Sequence, residues 1–184
     1  MAIVKNLLET NIENNSVNEN NKTFIEIIRP LNTDIYRKLN IIVLNNNNDL
    51  TRIFAKEGHL DCLKYAHDNG FPWDTETCSE AALGGHLDCL EYAHDNGCPW
   101  DQTTCYYAAG RGHLHCLEYA HYNGCPWDRS TCSEAARGGH LDCLKYAHDN
   151  GCPYDYNSLY REQTQNDKIL RYIKMYMNPN NRTS

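Results

Sequence analysis

Ten cysteines and nine histidines in 184 residues put metal binding and thiol chemistry first among the things this chain could do. The spacing argues against a metal. There is no CxxC pair, and the nearest motif, His59-Leu-Asp-Cys62, recurs in copies rather than converging on one point. Zinc ligands must sit about 2.0–2.3 Å from a single ion, whereas equivalent positions on stacked helices lie roughly 8–10 Å apart. The series Cys62, Cys89, Cys116 and Cys143 therefore reads as a ladder of small buried apolar residues, and no metal or other cofactor is expected. Cys98, Cys125 and Cys152 stand beside turn residues and are the thiols expected to be reachable. His67, His94, His121 and His148 fall at the ends of short helices, where partial protonation is favoured by the helix dipole, and are expected to bond the turns that follow. Every candidate nucleophile occurs three or four times, so none stands apart as a catalytic group does; a non-enzymatic protein is expected.

The repetition itself is the main signal. Gly58-His59, Gly85-His86, Gly112-His113 and Gly139-His140 recur every 27 residues. Residues 75–101, 102–128 and 129–155 share the frame xxTCxxAAxxGHLxCLxYAHxNGCPxD, and the first and third of these agree at 22 of 27 positions. Residues 48–74 form a more diverged copy, with Phe71 where the others have Cys98, Cys125 and Cys152.

Each copy predicts two short helices. Asp101 is placed to cap a helix from Gln102, with Cys105, Ala108 and Ala109 on one face and Gly112 at its end. A second helix is expected from Leu114 to Tyr122, with Leu114, Leu117 and Ala120 facing inward. Gly124 then supplies the positive φ of a helix C-terminus and Pro126 prevents continuation. Helices this short do not hold alone in water, so each copy must bury its apolar stripe on the next. The expected fold is all-α, a solenoid of stacked helix-turn-helix units.

These residues resemble the ankyrin repeat family. The run GHLDCLKYAHDNG is similar to the second helix of an ankyrin repeat, GHLEVVKLLLENG, and TCSEAAxGG is partly similar to TPLHxAAxxG. Ala81, Ala82 and Gly85 correspond, while Thr77 and Ser79 stand nearest to the family's Pro and His. The resemblance covers residues 48–155. The family's unit is usually 33 residues, so about six are missing from the connection between units, which NGCPWD must make directly; shortened loops without the projecting β-finger are implied. Short repeats with Cys and Trp in an Asn-rich chain also look similar to ankyrin-like proteins of large DNA viruses of amoebae. The resemblance implies a protein-binding module.

Outside the repeats, residues 1–22 read as a disordered Asn-rich segment and 23–47 as a helical cap. Residues 156–177 read as a degenerate fifth repeat, with Ile169, Leu170, Ile173 and Met177 inward, and 178–184 as a tail. A net charge of −7 counts against nucleic-acid or anionic-membrane partners. The start MAIVKNLLETNIENN reads as lacking a secretion signal, so reduced thiols in an intracellular, cytoplasmic protein are expected. The partner is expected to be another protein, with an adaptor role as one possibility. A structural or self-assembling role is the alternative, followed by a metal- or redox-responsive Cys-rich protein.

Two sets of residues are candidates for contact. Trp73, Trp100, Trp127 and Tyr154 form an aromatic ladder in the turns, read chiefly as covering the edge left by the shortened connection. The third copy departs from its neighbours at outward positions: Tyr106 and Tyr107 replace Ser-Glu, Arg111 replaces Gly, and His115 and Tyr122 replace Asp. Tyr and Arg are favoured at interface hot spots, so these five are the expected centre of a binding surface.

Overall fold

In a computed structural model the described residues are 50–162 and 166–182, all belonging to one compact unit. The expected disordered segment 1–22 and helical cap 23–47 lie outside them. Ten α-helices follow one another: α1 (Leu50–Glu57), α2 (Leu60–Asp68), α3 (Thr75–Gly84), α4 (Leu87–Asp95), α5 (Gln102–Arg111), α6 (Leu114–Tyr122), α7 (Arg129–Arg137), α8 (Leu141–Asp149), α9 (Tyr156–Glu162) and α10 (Asp167–Tyr172). A π-helical turn (Ile173–Met177) and a 3-10 turn (Pro179–Arg182) complete the described chain. There is no strand among the described residues. The helices pair as α1–α2, α3–α4, α5–α6 and α7–α8, and odd-numbered helices pack on odd-numbered ones from unit to unit. This is an ankyrin-like α-solenoid.

Local sequence fixes each start and stop. Asp74, Asp101 and Asp128 are extended residues whose carboxylates accept the N–H groups of Glu76, Thr103 and Ser130 at the openings of α3, α5 and α7. Those bonds satisfy donors that a helix start otherwise leaves bare. At Asp74 the carboxylate also takes two bonds from Arg52, one at 3.2 Å from Nε, and this pairing pulls its pKa below the usual value. Asn69, Asn96, Asn123 and Asn150 end the second helices, each amide donating back to the Tyr carbonyl four residues earlier. Gly124 follows with φ +83°, as the C-terminal signal requires.

The Gly-His pair has a reason beyond turn geometry. Gly85 has φ +78°, and a Cβ there would fall 2.4 Å from Nδ1 of His113, one unit further along. The same overlap recurs at Gly58 with His86 and at Gly112 with His140. Each imidazole is therefore seated on the glycine of the preceding unit, a contact that no side chain allows.

The core is a double row of small and medium residues. Cys105, Ala108 and Ala109 of α5 and Cys116, Leu117 and Ala120 of α6 are buried, as are their equivalents; Leu114 is half-buried. Cys62, Cys89, Cys116 and Cys143 are all buried, and burial pushes the Cys89 and Cys116 thiols up to about 12. At the far end Ile169, Tyr172, Ile173 and Met177 close the stack. Tyr172 thus takes the inward place expected of Leu170, which is half-buried.

Leu117 is fully buried between neighbouring units. Leu117→Ala is expected to cost about 2–5 kcal/mol, read as a fall in the urea unfolding midpoint. An unchanged midpoint would remove Leu117 from the core.

Candidate partner-binding cleft

Three of the five third-unit candidates come together. Tyr106, Tyr107, Gly110 and Arg111 on α5 line one wall of a cleft of about 290 Å³, with Glu134 and Arg137 of α7 and the Gly138 that ends it opposite. His115 and Tyr122 lie outside it, exposed on α6; His115 Nδ1 is 3.5 Å from Glu118, and Tyr122 is 88% exposed. The two tyrosine rings meet edge to face, centroids 5.1 Å apart, and both are half-buried.

Gly110 is the reason the space exists. At the same position in the first unit stands Lys56, whose ammonium reaches Glu80 of the next unit at 2.8 Å. In the third unit there is no side chain to make that strut, and a Cβ at Gly110 would lie 3.2 Å from the Cβ of Glu134. Glu134 instead turns to Arg137 on its own helix, accepting from Nε at 3.0 Å and from the other guanidinium nitrogen. Burial and then this nearby carboxylate raise the pKa of the Tyr106 hydroxyl. Arg111 is exposed and makes no ion pair with another described residue. The cleft thus carries two guanidinium groups against one carboxylate, walled by tyrosine, in a chain of net charge −7. Its volume is at the lower edge of the range for ligand pockets, enough for a side-chain anchor.

Glu134, Arg137 and Gly138 form the wall that sequence reasoning missed. Gly110 was the available signal, since it stands where the neighbouring units have Leu83 and Arg137.

The aromatic ladder packs against the histidines that end the second helices. Trp73, Trp100 and Trp127 are half-buried, and each stacks on the histidine of its own unit, His67, His94 and His121, with centroids 3.7–3.9 Å apart. Each histidine Nδ1 then hydrogen-bonds the tyrosine hydroxyl of the next unit: Tyr92 at 2.9 Å, Tyr119 at 3.1 Å and Tyr146 at 2.9 Å. His148 continues the series to Tyr172, with Tyr154 set edge-on in place of Trp, its hydroxyl donating to the Met177 carbonyl. The histidines therefore stack on the following turn instead of hydrogen-bonding it, and they tie unit to unit. Nor does the helix dipole favour charge throughout: burial lowers the pKa of His121.

A carboxylate fixes the proton at one junction of this ladder. The Tyr119 hydroxyl donates to Asp95 at 3.0 Å, so its bond with His94 requires an Nδ1–H donor. In the next unit Tyr122 stands where Asp95 does, and no such carboxylate bond fixes the proton between Tyr146 and His121.

The turn cysteines also depart from expectation. Cys98, Cys125 and Cys152 are 2–3% exposed, because each turn folds under its predecessor. Their thiols donate to the carbonyls of Asp74, Asp101 and Asp128 at 3.1–3.2 Å.

Residues 78–128, which hold most of two units including the cleft's α5 wall, match the family model for ankyrin repeats (many copies). The units within residues 78–128 are ankyrin repeats. Such repeats are protein–protein interaction units, and the family is generally non-enzymatic. No curated protein matches the sequence. No helix among the described residues is long and apolar enough to cross a membrane.

Burial holds the pKa of His113 and His121 below 6.5. Their neutral forms are favoured by folding, so their contribution is complete above about pH 6.5 and is lost as pH falls through the depressed values. Asp74 and Asp128, with lowered values of their own, begin to lose their contribution only below about pH 4. The urea midpoint is therefore expected to fall between about pH 7.5 and 5.5; a midpoint that rises towards acid would contradict it.

Proposed function

We propose that this ankyrin-repeat protein is a non-enzymatic interaction module, serving as an adaptor, whose recognition centre is the cleft between its third and fourth units. The observation that carries this reading is the local exchange at that interface. Gly110 leaves the gap unfilled, Tyr106 and Tyr107 supply aromatic walls, and Arg111 presents a guanidinium free to pair with a carboxylate. The residues repeated in every unit are occupied in building the stack, whereas these are spared for contact. Tyrosine and arginine are the side chains that carry most energy at protein interfaces when enclosed. The partner surface that fits presents an acidic side chain flanked by apolar groups.

His115 and Tyr122, on the other helix of the same unit, belong to a separate outward face and would act only on a partner wide enough to reach both. A self-assembling role through the tryptophans is less favoured, because one face of each ring of Trp73, Trp100 and Trp127 is already covered by histidine.

Affinity capture from the native cellular context, followed by binding measurement on the recovered partner, tests the reading. Tyr107→Ala with Arg111→Glu is expected to weaken binding at least about tenfold, while Asp88→Lys on the exposed face of α4 changes it little. Equal affinity of the double variant and the native chain would move the site elsewhere.

A further inference from the structure

Four of the ten cysteines, Cys62, Cys89, Cys116 and Cys143, recur on the second helix of all four repeats. The other six fall into pairs, one on the first helix and one in the turn of the same unit: Cys78 with Cys98, Cys105 with Cys125, and Cys132 with Cys152. Within each pair the turn thiol beside it, and then burial, raise the pKa of the helix thiol. In the first of them Cys78 Sγ also lies 4.0 Å from the Cys98 carbonyl. All six are buried, at 0–3% exposure.

Both members of a pair are present in a unit, or neither is. The first unit has Thr51 at the helix position and Phe71 at the turn position. In the degenerate last unit Leu159 takes the helix position, and no cysteine follows Cys152. Packing alone does not require this, since a cysteine fills a small apolar site without a partner, and the first unit keeps Cys62 while lacking the other two.

We infer that Cys78–Cys98, Cys105–Cys125 and Cys132–Cys152 are three built-in dithiol sites that oxidise to disulfides, each joining a first helix to the turn of its own unit. With hydrogen peroxide as oxidant, one sulfur of a pair attacks a peroxide oxygen, the O–O bond breaks, and a sulfenic acid and one water form. The second sulfur then displaces the hydroxyl, which leaves as a second water once protonated, and the S–S bond closes. Two thiol hydrogens and two electrons per pair thus pass to one peroxide. The sulfurs must close to about 2.05 Å. Burial makes the reaction slow, because the turn has to open before an oxidant enters.

The bond would replace one interaction with another of different reach. Each turn thiol now donates to an aspartate carbonyl of the preceding unit. Oxidation removes that hydrogen, so a link between units gives way to a covalent link within one. The array becomes stiffer inside each repeat and looser between repeats, which makes its curvature sensitive to oxidant.

The test is to expose the folded full-length chain to hydrogen peroxide, unfold it, alkylate the remaining thiols and map peptides without reduction. The three named links are expected, with Cys62, Cys89, Cys116 and Cys143 alkylated and all links reversed by dithiothreitol. Recovery of all ten cysteines as alkylated thiols, links in any other pattern, or covalent dimers would overturn the inference. Two variants guard against accidental pairing. Cys78→Thr with Cys98→Phe, which installs the residues of the first unit, is expected to lose one link and keep the other two. Cys98→Ala alone is expected to leave Cys78 alkylatable; a new link from Cys78 to a different cysteine would count against a built-in pair.

Discussion

A helix of nine or ten residues with one apolar stripe cannot close that stripe within its own repeat, and everything else in this protein follows from where closure comes from. The next copy of the same sequence supplies it, 27 residues on. Cys116, Leu117 and Ala120 are buried only because an equivalent pair of helices lies on either side. The stack is in effect one-dimensional, each unit stabilised by nearest neighbours. Its most demanding contact is the seating of His113 on Gly85 and of His140 on Gly112, where backbone and ring meet with no room for a methyl group. That contact sets the spacing of the array, and the spacing brings the turn of one unit under the turn before it.

On that frame the polar interactions between units are cumulative. His bonded to the next Tyr, with Trp stacked on it at three junctions and Tyr154 edge-on at the fourth, gives the half-buried edge a continuous hydrogen-bonded seam. The turn thiols add a second seam beneath it. Because each junction has the same parts, departures from the pattern are informative. At the junction of the third and fourth units Gly110 leaves no side chain to reach across, Tyr122 stands where Asp95 does, and a tyrosine-walled cleft with an exposed arginine is found.

Much of the fold was legible because the period exposes the periodic contacts: the caps at Asp101 and Gly112, the helix from Leu114 to Tyr122 and the buried cysteine ladder lie within one copy. What escaped were contacts that cross copies. His94 looked like a residue of its own helix end, but its partner is Tyr119, 25 residues away. Cys125 stands beside Gly124 and Pro126, which reads as exposed, yet the preceding turn covers it. The candidate cleft was half legible. Tyr106, Tyr107 and Arg111 break the pattern of their unit, whereas Glu134 and Arg137 repeat or nearly repeat residues seen elsewhere and gain their role only from the missing side chain at Gly110.

If recognition sits where the repeats differ and stability where they agree, the two kinds of position must crosslink differently. A photo-crosslinking residue, benzoylphenylalanine, placed at Tyr107 in one sample and at Asp88 in another, tests this directly in the native cellular context. One specific covalent adduct is expected from position 107 and none of that mass from position 88. The same adduct from position 88, with none from position 107, would place recognition on the face the repeats share and contradict that division.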